Sequence, residues 1–353
     1  MDYQKEFESL IDVVIKESAS DLHLSAGRYP TVRVDGLLTP LLTKKILTKE
    51  DMLGFAGVVL TPDDKALFLR NKEIDFSYSY KDKGRFRGNG YFQQGLVAFA
   101  FRLIPKNIKS FEELNLPPVL ETFCEKRQGF FLVVGPVGHG KTTTLAAMVE
   151  RINQTRAEHI ITIEDPIEYI YTPKKSIVDQ REVRVDTIDF SSALKSVFRE
   201  DVNVILIGEM RGIETMATAV SAAETGHLVI STLHTNNAAQ TINRIIDSFP
   251  AGQQQQIRIQ LASTLTGIFS QRLVPRISGG LIPAYELLIN STAASNLIRE
   301  NRVHEIDTLI ETGSENDMID MNRSLAELVR RGEITAENAY RYSTNPKVLE
   351  RLL

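Results

Sequence analysis

Residues Gly135-Pro136-Val137-Gly138-His139-Gly140-Lys141-Thr142 carry the spacing G-x-x-x-x-G-K-[ST], and Thr143 follows them. Residues 130–134 just before are an apolar run with strand character, and residues 143–149 read as a helix. A strand, a glycine-rich turn and a helix in that order is the setting in which such a turn folds around phosphate. Its glycines let main-chain N–H groups converge on an anion, and the helix N-terminus adds positive potential. Lys141 is then placed to meet the β- and γ-phosphates of a nucleotide, and Thr142 to offer its hydroxyl to Mg²⁺. His139 is bulky for a loop that binds through its backbone. Its side chain either points outward or makes a proton-donating, pH-sensitive contact with the phosphates.

Phosphate chemistry also needs an acid to hold a metal or orient water. Val204-Ile-Leu-Ile-Gly-Glu209 is an apolar strand ending at a carboxylate, on the side of such sheets where ligands bind. Ile161-Thr-Ile-Glu-Asp-Pro166 repeats the arrangement and places Glu164 at a strand end, where a cap or turn role for Glu164 and Asp165 is the competing reading. His227 and His234 bracket a third apolar strand. Metal binding is disfavoured, since no Cys partner exists and the histidines are not paired at i, i+4. Sensing a γ-phosphate, holding a neighbouring loop and simple structural bonding all remain open for them.

Elements must bring these groups together. The runs at 130–134, 160–163, 204–207 and 228–230 are separated by helical stretches, as in a mainly parallel sheet buried on both faces in an α/β fold. Upstream, Phe7, Leu10, Ile11, Val14 and Ile15 follow helical spacing, while Leu22 with Leu24 and Val32 with Val34 alternate as strands do. Asp35-Gly36 reads as a turn, and Thr61-Pro62-Asp63-Asp64 as a capped helix start. Ile74, Phe76, Tyr78 and Tyr80 alternate with polar residues, and strands are expected over 85–91 and 97–103. Their period sets Arg85 and Arg87 on one face, and turns Arg102 away from Val97, Phe99, Phe101 and Leu103. The result is an antiparallel α+β unit over 1–104, a proline-rich linker over 105–118 and an α/β unit over 119–353. Gln253 to Gln256 fall on a helix. The chain turns helical from about residue 292, with Leu297 and Ile298, then Leu325, Leu328 and Val329, then Leu349, Leu352 and Leu353.

The chain has 353 residues and a formal charge of −4, which disfavours a strongly basic nucleic-acid binder. Its length suits about two domains. The lone Cys124 excludes an internal disulfide or a cysteine zinc site and suits a reducing compartment. No apolar run reaches the roughly 18 residues of a membrane span. The start, MDYQKEFESL, lacks the order of a signal peptide. A cytosolic, soluble protein is expected.

These boxes, in this order, resemble the type IV pilus retraction ATPases (PilT-like) of the secretion ATPase superfamily. The resemblance runs through Ala19-Ser-Asp-Leu-His-Leu-Ser25, Arg85-Phe-Arg87, the phosphate loop, Thr162-Ile-Glu-Asp-Pro-Ile-Glu168, Ile205-Leu-Ile-Gly-Glu-Met-Arg211, the stretch from Thr225 to Thr235, and Gln271-Arg272-Leu273. Ala294-Ser-Asn-Leu-Ile-Arg-Glu300 resembles the family's retraction motif A-I-R-N-L-I-R-E with a degenerate start. His139, Gly212 and Val202 depart from the family's usual Ser, Asp and Pro.

The resemblance implies a PAS-like N-terminal domain, a RecA-like P-loop ATPase domain with a C-terminal helical region, and nucleotide bound between them. It implies Mg²⁺-dependent ATP hydrolysis by a cytoplasmic homohexamer that powers pilus retraction and twitching motility. Glu209 then matches the base or water-orienting glutamate and a metal position, and Glu164 the acidic-box glutamate. His227 and His234 match the histidine box. Arg87 and Arg102, with Arg85 as the substitute, match arginines that reach the nucleotide phosphates. Expected partners are an inner-membrane platform protein and a paralogous retraction ATPase, with membrane contact only through partners and no nucleic acid. An accessory paralogue with weak hydrolysis is the alternative. A pilus-extension or type II secretion ATPase fits less well, because those relatives typically carry a four-cysteine zinc module and a further N-terminal domain. The acidic balance also disfavours a RecA-like nucleic-acid motor.

Overall fold

The computed structural model describes residues 2–34, 36–81, 83–105 and 107–353. The chain forms two compact units, one of Met1–Asn107 with Glu168–Ile170 and one of Ile108–Ile167 with Tyr171–Leu353.

The first unit opens with α1 (Tyr3–Lys16), which buries Phe7, Leu10, Ile11 and Val14 along one stripe. Strands β1 (Asp21–Ser25), β2 (Thr31–Val34) and β3 (Leu37–Pro40) follow. Asp35 of the expected Asp35-Gly36 turn lies outside the described residues. Helix α2 (Lys49–Val59) starts in a capping box in which Thr48 and Asp51 satisfy each other's main-chain N–H groups. Helix α3 (Pro62–Asn71) starts as its sequence dictates, with Thr61 accepting from the Asp64 N–H and Pro62 in the first turn. Strands β4 (Glu73–Tyr80), β5 (Gly84–Gln93) and β6 (Leu96–Ile104) complete a six-stranded sheet in the order β3-β2-β1-β6-β5-β4. Every pairing in it is antiparallel. Its core joins the helices to the sheet through Phe7, Phe55, Phe68, Phe99 and Phe101. Phe86 points into that core, so Arg85 and Arg87 take the outer face by strand alternation.

The second unit begins earlier than the proline-rich stretch suggests. The break falls after Asn107, and Phe111 and Leu116, within the supposed linker, are both buried. Three prolines erase the periodicity that would have advertised this burial. After α4 (Leu120–Cys124) come β7 (Gly129–Val134), α5 (Lys141–Thr155), β8 (His159–Glu164), β9 (Ile177–Glu182), α6 (Phe190–Val197), β10 (Val204–Ile207), α7 (Ile213–Glu224) and β11 (Leu228–Leu233). Then follow α8 (Ala238–Asp247), α9 (Ala251–Thr264), β12 (Leu265–Pro275) and β13 (Leu281–Ile289). The seven strands lie in the order β13-β12-β7-β11-β10-β8-β9. Only β13 runs antiparallel to its neighbour. β7, β10 and β11 are buried along their whole length, as apolar strands covered on both faces must be.

Helices α10 (Thr292–Arg299), α11 (Ile306–Thr312), α12 (Met321–Arg330), α13 (Ala336–Tyr342) and α14 (Pro346–Leu352) close the chain. A separate core packs Met321, Leu325, Ala339 and Leu349 against Val274 of β12 and Ile282 of β13. No helix among the described residues is long and apolar enough to cross a membrane.

Candidate nucleotide site

Four parallel strands end side by side in the second unit. Leu233 of β11 pairs with Val134 of β7, while Ile207 of β10 pairs with Ser231 and with Ile163 of β8. The chain leaving β7 forms the glycine-rich loop, that leaving β11 carries His234, and that leaving β10 carries Glu209. β8 ends on Glu164 itself. Neighbouring strands are about 4.8 Å apart, so the glutamate of β10 stands roughly 10 Å along the sheet edge from the loop of β7.

The loop is built by close backbone approach. Gly135 has φ +142°, and a Cβ there would collide with the Gln271 carbonyl oxygen of β12. Gly140, with φ +79°, is the N-cap of α5 and offers no side chain, and the positive end of the helix there favours an incoming anion. Lys141 is 7% exposed, and its Nζ donates to the carbonyl oxygens of Gly135 at 2.9 Å and Pro136 at 2.8 Å. The ammonium is thus held inside the loop that it serves. Thr142 and Thr143 follow it in the first turn of α5, half-buried, whereas Val137 and Gly138 are exposed at the crest.

His139 does not point outward. Its ring turns onto β12, where Nδ1 accepts the Leu273 N–H at 2.9 Å. Burial pushes its pKa down, and the charges of Arg272 and Lys141 push it further, so the neutral ring is favoured.

Glu209 is set between Arg211 and His234. Arg211 Nη2 lies 2.8 Å from one carboxylate oxygen and His234 Nε2 lies 3.4 Å from the other. Burial opposes ionisation, but the Arg211 hydrogen bond and the charges of Arg211 and His234 outweigh it and hold the carboxyl below its ordinary range. Glu209 is therefore a carboxylate at neutral pH. Glu164 is buried, with Oε1 accepting from the Thr162 hydroxyl at 2.6 Å and from Gln180 Nε2 at 3.4 Å. Glu182 of β9 accepts the Ile167 N–H at 3.0 Å and so pins the turn that follows Glu164.

His227 does not join this group. It precedes β11, whose first residue pairs with Gly129, so it stands at the opposite end of the sheet, about 20 Å from the loop at 3.3 Å per residue. Its Nδ1 is 3.0 Å from the Ala222 carbonyl, which makes it a cap for the end of α7. Both histidines flank one strand, and a strand has two ends. Arg87 and Arg102 lie in the first unit, directly opposite each other on β5 and β6. Arg102 Nε donates to Asp21 at 2.9 Å, and Arg87 is exposed.

Two functional partners escape the sequence reading. Arg211 has a local signal, a cation two residues after Glu209. Gln271 stands in the Gln271-Arg272-Leu273 box, but no contact of its side chain is legible there. It is 2% exposed and accepts from the Thr144 hydroxyl at 2.6 Å while donating to the His139 carbonyl at 2.9 Å.

The family model of type II/IV secretion system proteins matches residues 106–308, more than half of the chain. The chain belongs to the type II/IV secretion system protein family. Within that family it is 42% identical over 324 residues to the type IV pilus retractation ATPase PilT of Pseudomonas aeruginosa, covering 92% of this chain and 94% of that protein. It is 40% identical over 353 residues to the type IV pilus ATPase PilU of the same organism, covering 99% and 91%. A crystal structure of the pilus retraction motor PilT with bound ADP superposes with a TM-score of 0.91 at 48% identity, covering 97% of this chain and 98% of that one. The α/β fold of the second unit, with its parallel sheet and flanking helices, is thus a secretion-family fold.

Proposed function

We propose that this chain hydrolyses ATP to drive retraction of a type IV pilus. The observation that carries the reading is a preformed phosphate loop, with Lys141 already seated in it, on the same sheet edge as the ionised Glu209. The near full-length similarity to a pilus retraction motor supports it.

The loop's N–H groups and Lys141 bind the phosphates, with the ammonium exchanging its two carbonyl partners for phosphate oxygens. Glu209, kept ionised by Arg211 and His234, orients and deprotonates the attacking water. His234 adjoins the same carboxylate and reports on its charge. Mg²⁺ suits the donors present. Thr142 and Glu209 offer hard oxygens, and among the described residues no group of three or more His, Cys, Asp or Glu forms a dedicated cage. Thr142 and Glu209 would hold the ion, which when bound neutralises developing charge on the phosphates.

The working assembly is a homohexamer, cytoplasmic and peripheral at the inner membrane, acting on a platform protein of the pilus base and alongside a paralogous ATPase. In the test, a retraction-deficient strain regains twitching with the wild-type gene and not with Lys141→Ala, and the purified variant loses turnover. Wild-type hydrolysis by Lys141→Ala sinks the site. Weak wild-type hydrolysis without restored motility supports an accessory paralogue instead.

A further inference from the structure

β7 pairs with β12 as far as Val134 opposite Ser270, and β12 then runs on to Pro275. Beyond that point the edge of β12 that faced a strand faces the phosphate loop. Main-chain groups on such an edge need partners. The Leu273 N–H finds His139 Nδ1 at 2.9 Å. The Gln271 carbonyl packs against Gly135, and the Gln271 side chain bridges Thr144 of α5 and the His139 carbonyl. Residues on both sides of Lys141 are thus fastened to one strand. The neighbouring Arg272 donates to the Tyr342 carbonyl at 2.7 Å, and the Tyr342 ring stands edge-on to His139 with centroids 6.3 Å apart. The ring of His139 is therefore fixed by β12 on one side and by the end of α13 on the other. Nδ1 serves as acceptor only in the neutral ring that carries its proton on Nε2.

We propose that His139 is a positioning residue for nucleotide binding. Its Nδ1 replaces the departed β7 as partner of β12 and so holds the phosphate loop in the shape that Lys141 requires. The proposal rests on the phosphate-loop reading above. Serine, the residue expected here from the family pattern, is too short to span from the loop to the Leu273 N–H, so this fastening belongs to the histidine.

The test measures ATP turnover and ADP affinity of the purified full-length chain, with His139→Ala, His139→Asn and Lys141→Ala compared with wild type. Asparagine sets a carbonyl oxygen near the place of Nδ1 and can accept the same N–H. His139→Ala raises KM for ATP and Kd for ADP about three- to tenfold, with kcat altered less than about twofold. His139→Asn returns both to within about twofold of wild type. Unchanged KM and Kd in His139→Ala, or an Asn variant as weak as the Ala variant, overturns the proposal while the phosphate-loop reading stands. A wild-type chain that binds and hydrolyses no ATP overturns both. Should His139→Ala fail to fold, amide exchange of wild type decides. The Leu273 N–H is protected although no strand pairs with it on that edge, and rapid exchange there contradicts the proposal.

Discussion

Glu209 shows how the site selects a protonation state. Burial alone would raise its carboxyl above the ordinary 4.5, and Arg211 with His234 reverses the sign. A carboxyl whose folded value is depressed contributes stability above the unfolded value, and loses it as pH falls through the folded one. Arg211→Met removes the hydrogen-bonded cation and leaves the burial, so Glu209 then titrates higher. The acid limb of the pH profile of kcat/KM moves to higher pH in this variant. An acid limb that stays in place assigns that limb to another group. At this scale the sequence discloses residues that sit in a local frame. Lys141 and Thr142 follow a strand and open a helix, and Glu209 ends an apolar run. It does not disclose the contacts of Gln271, whose partners His139 and Thr144 lie more than 120 positions away in the chain.

Among elements, strands buried on both faces are plain as apolar runs, and β7, β8, β10 and β11 all appear where those runs stand. β9 is a half-polar edge strand, and β12 mixes Ser270, Gln271 and Arg272 into its apolar residues, so neither shows a clean period. The polar residues that disguise β12 are the ones that hold the loops. Ser270 donates to the Asn236 carbonyl at 2.8 Å, and Glu286, opposite it on β13, accepts the Ala238 N–H at 2.8 Å. Together they fix the segment that follows His234. Burial pushes the Glu286 carboxyl up to about 7, partly offset by the Ala238 N–H, with Asp307 and Asp320 adding to the rise. A carboxyl raised in the folded state favours folding below its unfolded value and loses that contribution as pH rises through the folded one. Glu286→Gln keeps the acceptor and never ionises. The variant melts with wild type near pH 4 and is more stable than wild type near pH 8, by about 3 kcal/mol. A difference that is equal at both pH values contradicts the assignment.

For the whole molecule, length and patterning suggest a two-part chain, and the structure moves the boundary to Asn107 because prolines mask the buried Phe111 and Leu116. The lone Cys124 is buried, and burial pushes its thiol up to about 12, so it stays protonated at neutral pH. The central claim is that the carboxylate following β10 acts on water beside a nucleotide held by the loop after β7. The direct measurement is ATP binding and hydrolysis by Glu209→Gln, which preserves size and removes the base. It is expected to bind ATP within about threefold of wild type and to hydrolyse it at least about 100-fold more slowly. Hydrolysis at the wild-type rate with binding intact would contradict the account.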